Sequence, residues 1–345
     1  MRIAFVHDWL ASIGGDVRVL KALHDMYPGA PIFCLNHDKA FTGVFFDNAN
    51  IIPCARYFSK VLLPFYPSMI ESLDLSDFDL VISTGSIFSK GLVLRPKTYH
   101  INYCHSPTRQ VWDLSAKYRR KIFQHFLRVW DRQASARVDM FIANSEHVKD
   151  RIKKYYRRDA EVIYPPVTVS PPTPPYSKGG SEGGYLIVSR LHKHKNIDIA
   201  VRAFNKLGWA LTVIGDGPEY ARLKALAGPT VRIMGKLPDS LLATHYSLCT
   251  AFVMPQDEDF GIAPIEAMMF GKPVLALKAG GALEYVEEGI NGLFFDDAHE
   301  AVLADGVRRI KEMKFDTGAV IASAQQFTCQ KFQSSFYNII NRLAR

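Results

Sequence analysis

Residues 258–273 read EDFGIAPIEAMMFGKP. Two carboxylates, Glu258 and Glu266, stand in a mostly apolar run. Pro264 suits the first turn of a helix, where its missing N–H has no partner to lose. A helix over 264–270 would end at Gly271, with Pro273 just beyond as a stop. TAFVMP at 250–255 feeds this block as a strand, and GKPVLA at 271–276 leads out of it into another. Strand, loop, helix and strand make a parallel unit of an α/β fold. Glu266 is expected in the first helical turn and Glu258 on the loop before it. Both would face the unpartnered amides of Phe260, Gly261, Ile262 and Ala263, a natural anion site. The bland alternative is a capped helix whose acids offset its dipole.

The same alternation extends on both sides. YLIVS at 185–189 reads as a strand, SRLHKHKN at 189–196 as a loop, and a helix starts near Ile197. Arg190 and Lys195, between a strand end and a helix start, are placed to clamp a diphosphate. ALTVIGDGPEYARLKALA at 210–227 is strand, turn and helix, with Gly217-Pro218 in the turn. VRIMGKLP at 231–238 is a further strand. LKAGGALEYVEEGINGLFF at 277–295 gives a Gly-Gly loop, a short helix and a strand, and helices follow at 298–313 and 329–343. Asp257-x-Asp259 has the form of a metal-binding DxD motif. Arg190 and Lys195 already supply the cations for a diphosphate, so it is read as coincidence and no metal is expected.

PPVTVSPPTPPYSKGGSEGG at 165–184 is a boundary by composition. The chain therefore divides into a first domain at 1–165, a linker at 166–184, a second domain at 185–328 and a closing helix at 329–345. In the first domain RIAFVH at 2–7 is a buried strand. Gly14-Gly15 opens a helix with Val17, Leu20 and Leu23 on one face, an arrangement that can cradle phosphate. Further strands are expected at 31–35, 50–53, 79–83 and 99–103, and an irregular helix at 58–73. His105, in YCHSPTRQVWDL at 103–114, falls at a strand's carboxyl end, where open α/β sheets bind ligands. Adjacent Cys104 points to the opposite face, so no Cys–His nucleophile is expected. A long helix over 115–138 carries an apolar stripe of Ile122, Phe126, Val129, Trp130 and Ala134. Lys117, Arg119, Arg120, Lys121, Arg128, Arg132 and Arg137 give it a basic side.

Charge is uneven. Residues 1–165 hold 23 Lys+Arg and 16 Asp+Glu, a balance of +7, out of +8 for the whole chain. The basic excess points to an anionic surface. A bilayer fits better than nucleic acid, for which no motif is present. A solvated helix face is the plain alternative. Five scattered cysteines fit a reducing compartment. MRIAFVHDWL has too short an apolar core for a signal peptide, and no run approaches the roughly 20 residues needed to span a bilayer.

Glu258 and Glu266 with GKPV, together with SRL…KN, GxGPE and the His105 block, resemble the retaining nucleotide-sugar glycosyltransferases of family 4. HDW with YCHSPTRQVW is similar to a subgroup containing bacterial surface-polysaccharide mannosyltransferases. The resemblance implies the GT-B fold, two doubly wound Rossmann-like domains facing a central cleft, with the last helix crossing back to the first domain. It implies retaining, metal-independent hexosyl transfer from a nucleotide sugar, GDP-mannose by preference, to a saccharide or lipid-linked saccharide. No cofactor is expected. Arg190 and Lys195 would hold the diphosphate, Glu266 the ribose and Glu258 the donor sugar. His105 would line the sugar site and Gly14-Gly15 the donor-facing loop; Asp16 stands where members often carry Glu. A UDP-sugar donor is the alternative, and a sugar-nucleotide epimerase of the same architecture is the reading from another class. The expected location is cytoplasmic, peripheral on the inner face of the plasma membrane.

Overall fold

A computed structural model describes residues 1–55, 60–113, 121–169 and 183–343. Two expectations fall partly outside these: the start of the irregular helix at 58–73, and residues 115–120 of the long helix, including Lys117, Arg119 and Arg120. Most of the linker at 166–184 also lies outside. The chain forms two compact units. One holds Met1–Pro166 with the closing helix Cys329–Leu343, and the other Val167–Thr328.

The first unit is built on seven parallel strands: β1 (Ile3–Leu10), β2 (Ile32–His37), β3 (Ile51–Pro53), β4 (Leu80–Gly85), β5 (Tyr99–Cys104), β6 (Met140–Ala143) and β7 (Ala160–Val162). Their order is β3-β2-β1-β4-β5-β6-β7, so the winding reverses between β1 and β4. Helices cover both faces of such a sheet, which is why its strands are continuous apolar runs rather than alternating ones. β1 and β4 are buried along nearly their whole length. The helix Gly15–Met26 lays Val19, Leu20 and Leu23 on the sheet. Phe332 and Phe336 of the closing helix join that core, Gln333 donates to the Ala22 carbonyl, and Arg342 pairs with Glu161.

The second unit has six parallel strands: β8 (Tyr185–Val188), β9 (Leu211–Ile214), β10 (Val231–Met234), β11 (Phe252–Met254), β12 (Val274–Leu277) and β13 (Gly292–Phe295). Their order is β10-β9-β8-β11-β12-β13, with the reversal between β8 and β11. A core of Ile187, Leu191, Phe204, Val213, Val253, Leu275 and Val307 fills the space between sheet and helices. The Val167 amide donates to the Phe327 carbonyl at 2.8 Å, closing the unit where the chain enters and leaves it.

Two local expectations are corrected. The helix expected at 264–270 begins earlier, at Ile262, and runs to Met269. Gly261, at φ +93°, makes the sharp turn into it, so Pro264 occupies the third position of the first turn. The basic helix, described from Lys121 to Ala136, turns only one edge of its expected stripe inward: Ala134 is buried and Trp130 packs on the core. Ile122, Phe126 and Val129 point to solvent, while Gln124, Asp131, Ala134 and Ser135 are buried. Its inward side joins a polar network around Asp131 to the packing of Leu127 and Trp130 on the core.

Candidate active site

In a doubly wound sheet, ligands bind outside the carboxyl ends of the strands where the winding reverses. In the second unit those ends belong to β8 and β11. β8 runs into Ser189-Arg190, and β11 into Pro255–Phe260. Lys195, buried in the turn after β8, reaches Glu258 after β11, its Nζ 2.5 Å from Oε1. Gln256 Nε2 donates to the same carboxylate oxygen at 3.1 Å. Arg190 lies exposed at the end of β8. His192, two residues on, is held below its usual pKa by lost solvation and then by the charges of Arg190 and Lys195.

A glycine turn supports this loop from beneath. The Leu191 amide donates to the Asp216 carbonyl at 2.8 Å, and the Glu219 amide to the Leu191 carbonyl at 3.0 Å. A Cβ on Gly215 would lie 1.8 Å from the Ser189 carbonyl oxygen, and one on Gly217 2.5 Å from that of Leu191. The GDGPE motif thus does more than turn: its glycines let one backbone press against the other, fixing where Arg190 and Lys195 emerge.

Glu266 lies deeper than its sequence context suggests. It is the fifth residue of its helix, 7% exposed, and its Oε2 accepts from Tyr246 Oη at 2.6 Å. Tyr246 stacks on Phe270, with ring centroids 5.8 Å apart. This tyrosine, on the helix Asp239–Leu248, escapes sequence reasoning because nothing local marks it. Phe260 serves as an anchor through its side chain: it is buried against Tyr285 and Phe327, at 5.7 and 5.5 Å between centroids. The amides of Gly261, Ile262 and Ala263 follow it into the helix opening.

The Gly280-Gly281 turn closes the loop from the other side. The Gly281 amide donates to the Glu258 carbonyl at 2.9 Å. A Cβ on Gly280 would lie 2.1 Å from Asp257 Oδ1, and one on Gly281 2.5 Å from Phe260 Cα and 2.7 Å from the Asp259 carbonyl oxygen. Asp257 and Asp259 therefore sit in a loop shaped by this turn. Among the described residues no group of three or more His, Cys, Asp or Glu side chains is gathered as a metal site. Gly281→Ala must push the Glu258 loop away, because the obstacle is backbone. The expected outcome is a loss of about 1–3 kcal/mol of stability with weaker nucleoside diphosphate binding. Titration calorimetry and thermal unfolding check it; unchanged values in both would remove Gly281 from the design of the site.

In the first unit the carboxyl ends of β1 and β4 carry a second constellation. Asp8 accepts four backbone N–H groups, from Ser86, Ile87, Phe88 and Ser89, at 2.7–3.0 Å. His7 bonds Thr84 at 2.9 Å and lies 3.7 Å from the Asp16 carboxylate. Gly14 is the extended N-cap of the helix that Gly15 opens, with Asp16 in its first turn. A Cβ on Gly14 would meet Asp16 Oδ1 at 2.5 Å. His105 follows β5 and packs edge-on to Tyr103 at 5.1 Å, and Tyr103 in turn contacts Phe332 of the closing helix at 5.8 Å. Cys104 beside it is buried. Ser83 and His100 also touch, at 2.8 Å, but burial holds His100 down to about 3 and leaves no path to solvent.

The loop bearing His105 is tied to the basic helix. Asp131 accepts from Thr108 Oγ1 at 2.8 Å and Trp112 Nε1 at 2.7 Å, and pairs with Lys90 at 2.6 Å. Asp113 binds Arg151 and accepts from Tyr155. In the sequence, Asp131 and Asp113 register only as charges.

Comparison with known proteins fits this arrangement. The Glycosyltransferase Family 4 model matches residues 9–170, and the Glycosyl transferases group 1 model matches residues 177–326. An uncharacterized glycosyltransferase of Methanocaldococcus jannaschii is 28% identical over 171 residues, 48% of each chain. A GDP-mannose-dependent alpha-mannosyltransferase of Corynebacterium glutamicum is 34% identical over 110 residues, 32% of this chain and 26% of that one. The matches thus span about half and about a quarter of those relatives. Among solved structures, Anabaena HepE in complex with UDP aligns over 99% of this chain and 100% of its own, with a TM-score of 0.71 at 18% identity, which is a likeness of fold. These matches favour a transferase over an epimerase of the same architecture. With the two family models laid end to end over most of its length, the chain belongs to the family-4 glycosyltransferases of the GT-B fold.

Proposed function

We propose that the protein transfers a hexosyl group, with retention of anomeric configuration, from a nucleotide sugar to a saccharide or lipid-linked saccharide of a cell-surface polysaccharide. The observation that carries this reading is the grouping of Lys195 and Glu258 at the reversal of the second sheet, with Arg190 beside them. Arg190 and Lys195 are assigned to the diphosphate, with the amides of Phe260, Gly261, Ile262 and Ala263. Glu266, oriented by Tyr246, is assigned to the ribose, and Glu258 to the donor sugar. Gly14, Gly15 and His105 are assigned to the sugar side of the reaction from the first unit.

The bond between the anomeric carbon and the diphosphate oxygen breaks, and the acceptor oxygen bonds to that carbon on the same face. The acceptor proton passes to the departing phosphate oxygen. Charge grows on the leaving diphosphate, and fixed cations and amides stabilise it there, which is electrostatic catalysis. No covalent nucleophile is needed. GDP-mannose is the favoured donor, because the Corynebacterium glutamicum relative uses it and is 34% identical where it aligns. A UDP-sugar is the second reading, favoured by the UDP complex of the structural neighbour.

Incubation with labelled GDP-mannose, UDP-glucose and UDP-galactose tests the reading. The expected product is a glycoside retaining the donor's anomeric configuration; inversion, epimerised donor or no turnover with any nucleotide sugar would refute it. Transfer is also expected to persist in EDTA, since protein cations neutralise the diphosphate. Loss in chelator, restored by manganese or magnesium, would return Asp257 and Asp259 to the reading as metal ligands.

A further inference from the structure

A cavity of about 420 Å³ opens in the second unit, at the sheet edge opposite Lys195 and Glu258. Tyr185 begins β8, Cys249–Ala251 lead into β11, and Gly271–Pro273 lead into β12; all line it. The cavity therefore lies at the amino ends of the central strands, whereas Lys195 and Glu258 follow their carboxyl ends. Its volume falls within the ~300–1,000 Å³ of small-molecule sites. One wall is closely built: a Cβ on Gly271, at φ +71°, would meet Thr317 Cγ2 at 2.3 Å. Tyr185, Ile310 and Phe315 give it an apolar floor continuous with the core of the unit. Burial pushes the Cys249 thiol up to about 12, so the wall offers no nucleophile.

The charge of the lining is one-sided. Lys272 and Lys311 line the cavity, and no Asp or Glu does. Neither lysine forms an ion pair among the described residues. Lys311 lies over the Trp209 ring, 4.2 Å from its centroid. Three helices end here: Asp239–Leu248, Ile262–Met269 and Glu300–Glu312. Helix C-termini carry partial negative charge, and the plain reading is that the two lysines offset it. That role needs no cavity beside them. A ligand that uses every feature has an anionic group for the lysines, hydroxyls for the carbonyl ends of the helices, and a body that lies on the apolar floor. A sugar phosphate has all three.

We propose that this cavity is an effector site for a phosphorylated small molecule of sugar-phosphate size. The phosphate meets Lys272 and Lys311, and the body lies against Tyr185 and Phe315. Occupancy is felt at the catalytic edge because two of the helices that end here carry the Tyr246–Glu266 hydrogen bond. Leu248 lines the cavity two positions after Tyr246, and Gly271 five positions after Glu266. This coupling rests on the assignment of Glu266 to the ribose; binding in the cavity does not.

Titration calorimetry of the full chain tests it, with mannose 6-phosphate, AMP and inorganic phosphate as probes and mannose as the uncharged control. Mannose 6-phosphate or AMP is expected to bind the wild type, and mannose is not. K272A should weaken that binding about tenfold and K272A/K311A further, with GDP and UDP affinity in the absence of probe unchanged. Bound probe should shift GDP or UDP affinity about fivefold or more, and by linkage the nucleotide should shift the probe's affinity by the same factor. The shift should vanish in the double variant. Failure of every probe to bind overturns the inference, as does equal binding in the double variant. A double variant that unfolds at lower temperature yet binds the probe normally would return the lysines to offsetting the helix ends. Inorganic phosphate binding as tightly as the larger probes would leave Tyr185 and Phe315 no part and overturn the ligand's size. GDP and UDP affinities unmoved by bound probe overturn the effector role. Probe binding without transfer from any nucleotide sugar would support the site and refute the transferase chemistry; transfer with no probe bound would do the opposite.

Discussion

Lys195→Ala is expected to reduce the rate of transfer by about a hundredfold to a thousandfold, the usual cost of removing one donor to a developing anion. The side chain is 6% exposed and its ammonium is held 2.5 Å from Glu258 Oε1. Two effects add. The diphosphate loses a cation placed at the reversal of the sheet, and Glu258, itself 21% exposed, loses its neutralising partner. An unpaired carboxylate beside the diphosphate repels it, so binding should weaken beyond the loss of one charged hydrogen bond, worth about 1.5–3 kcal/mol. Glu258→Gln separates the two effects. It removes the repulsion but keeps Lys195, so nucleoside diphosphate affinity should hold or rise while transfer falls, because the sugar loses its carboxylate. Calorimetry with GDP and UDP, beside steady-state kinetics, measures both. Equal affinity for nucleoside diphosphate in wild type and Lys195→Ala would detach Lys195 from the phosphates, and with it the central assignment of the site.

Much of this arrangement is legible in the amino-acid sequence alone. The strands of both sheets announce themselves because a parallel strand buried on both faces must be apolar throughout, as IAFV, LVIS and VLAL are. The loops at their carboxyl ends then fall where ligands bind, which brings out Arg190, Lys195, His105 and Glu258. Pairings across the sheet are less accessible. Lys195 and Glu258 lie 63 positions apart, and only the order β8-β11 brings them together. Tyr246 is 20 positions from Glu266 and carries no local sign of its role. Pro264, a residue that favours helix openings, draws the expected start of the helix toward itself and Glu266 with it. The helix starts instead at Ile262, since Gly261 can take the positive φ that the turn requires.

The basic helix shows a different limit. Periodicity says that a stripe exists, but not how far it is turned: Trp130 and Ala134 face inward, while Ile122, Phe126 and Val129 do not. Ile122, Phe126 and Val129 alternate around the helix with Gln124, Asp131 and Ser135, and both sets keep helical spacing. The second set won the interior because Asp131 finds three partners there, which offset the cost of burying its charge. The sign in the sequence was Lys90, a lone cation amid apolar residues of GSIFSKGLVL, which needed a buried acid somewhere.

That pair gives the largest expected change in stability. Lys90 and Asp131 have side chains 4% and 3% exposed, 2.6 Å apart. Lys90 Nζ also donates to the Ile87 carbonyl at 2.6 Å, and the Ile87 amide donates to Asp8. Asp131 holds Thr108 and Trp112 of the loop that follows His105. Asp131→Ala leaves the buried Lys90 ammonium without its counter-ion and the part-buried Trp112 Nε1 without its acceptor, while Thr108 Oγ1 keeps the Ser86 carbonyl at 2.9 Å, so it should destabilise the first unit by about 3–5 kcal/mol. Removing both charges is a different matter. Lys90→Met with Asp131→Leu leaves no uncompensated ion and fills similar volume, and replacement of a buried pair by apolar groups is often neutral. The double variant should therefore recover most of the loss in urea unfolding, yet remain deficient in transfer, because Thr108 and Trp112 are no longer tied to the helix through Asp131, and Thr108 keeps only the Ser86 carbonyl. Stability and transfer that recover together would reduce the network to scaffolding, whereas recovered stability with a persistent deficit in turnover assigns Asp131 the positioning of that loop.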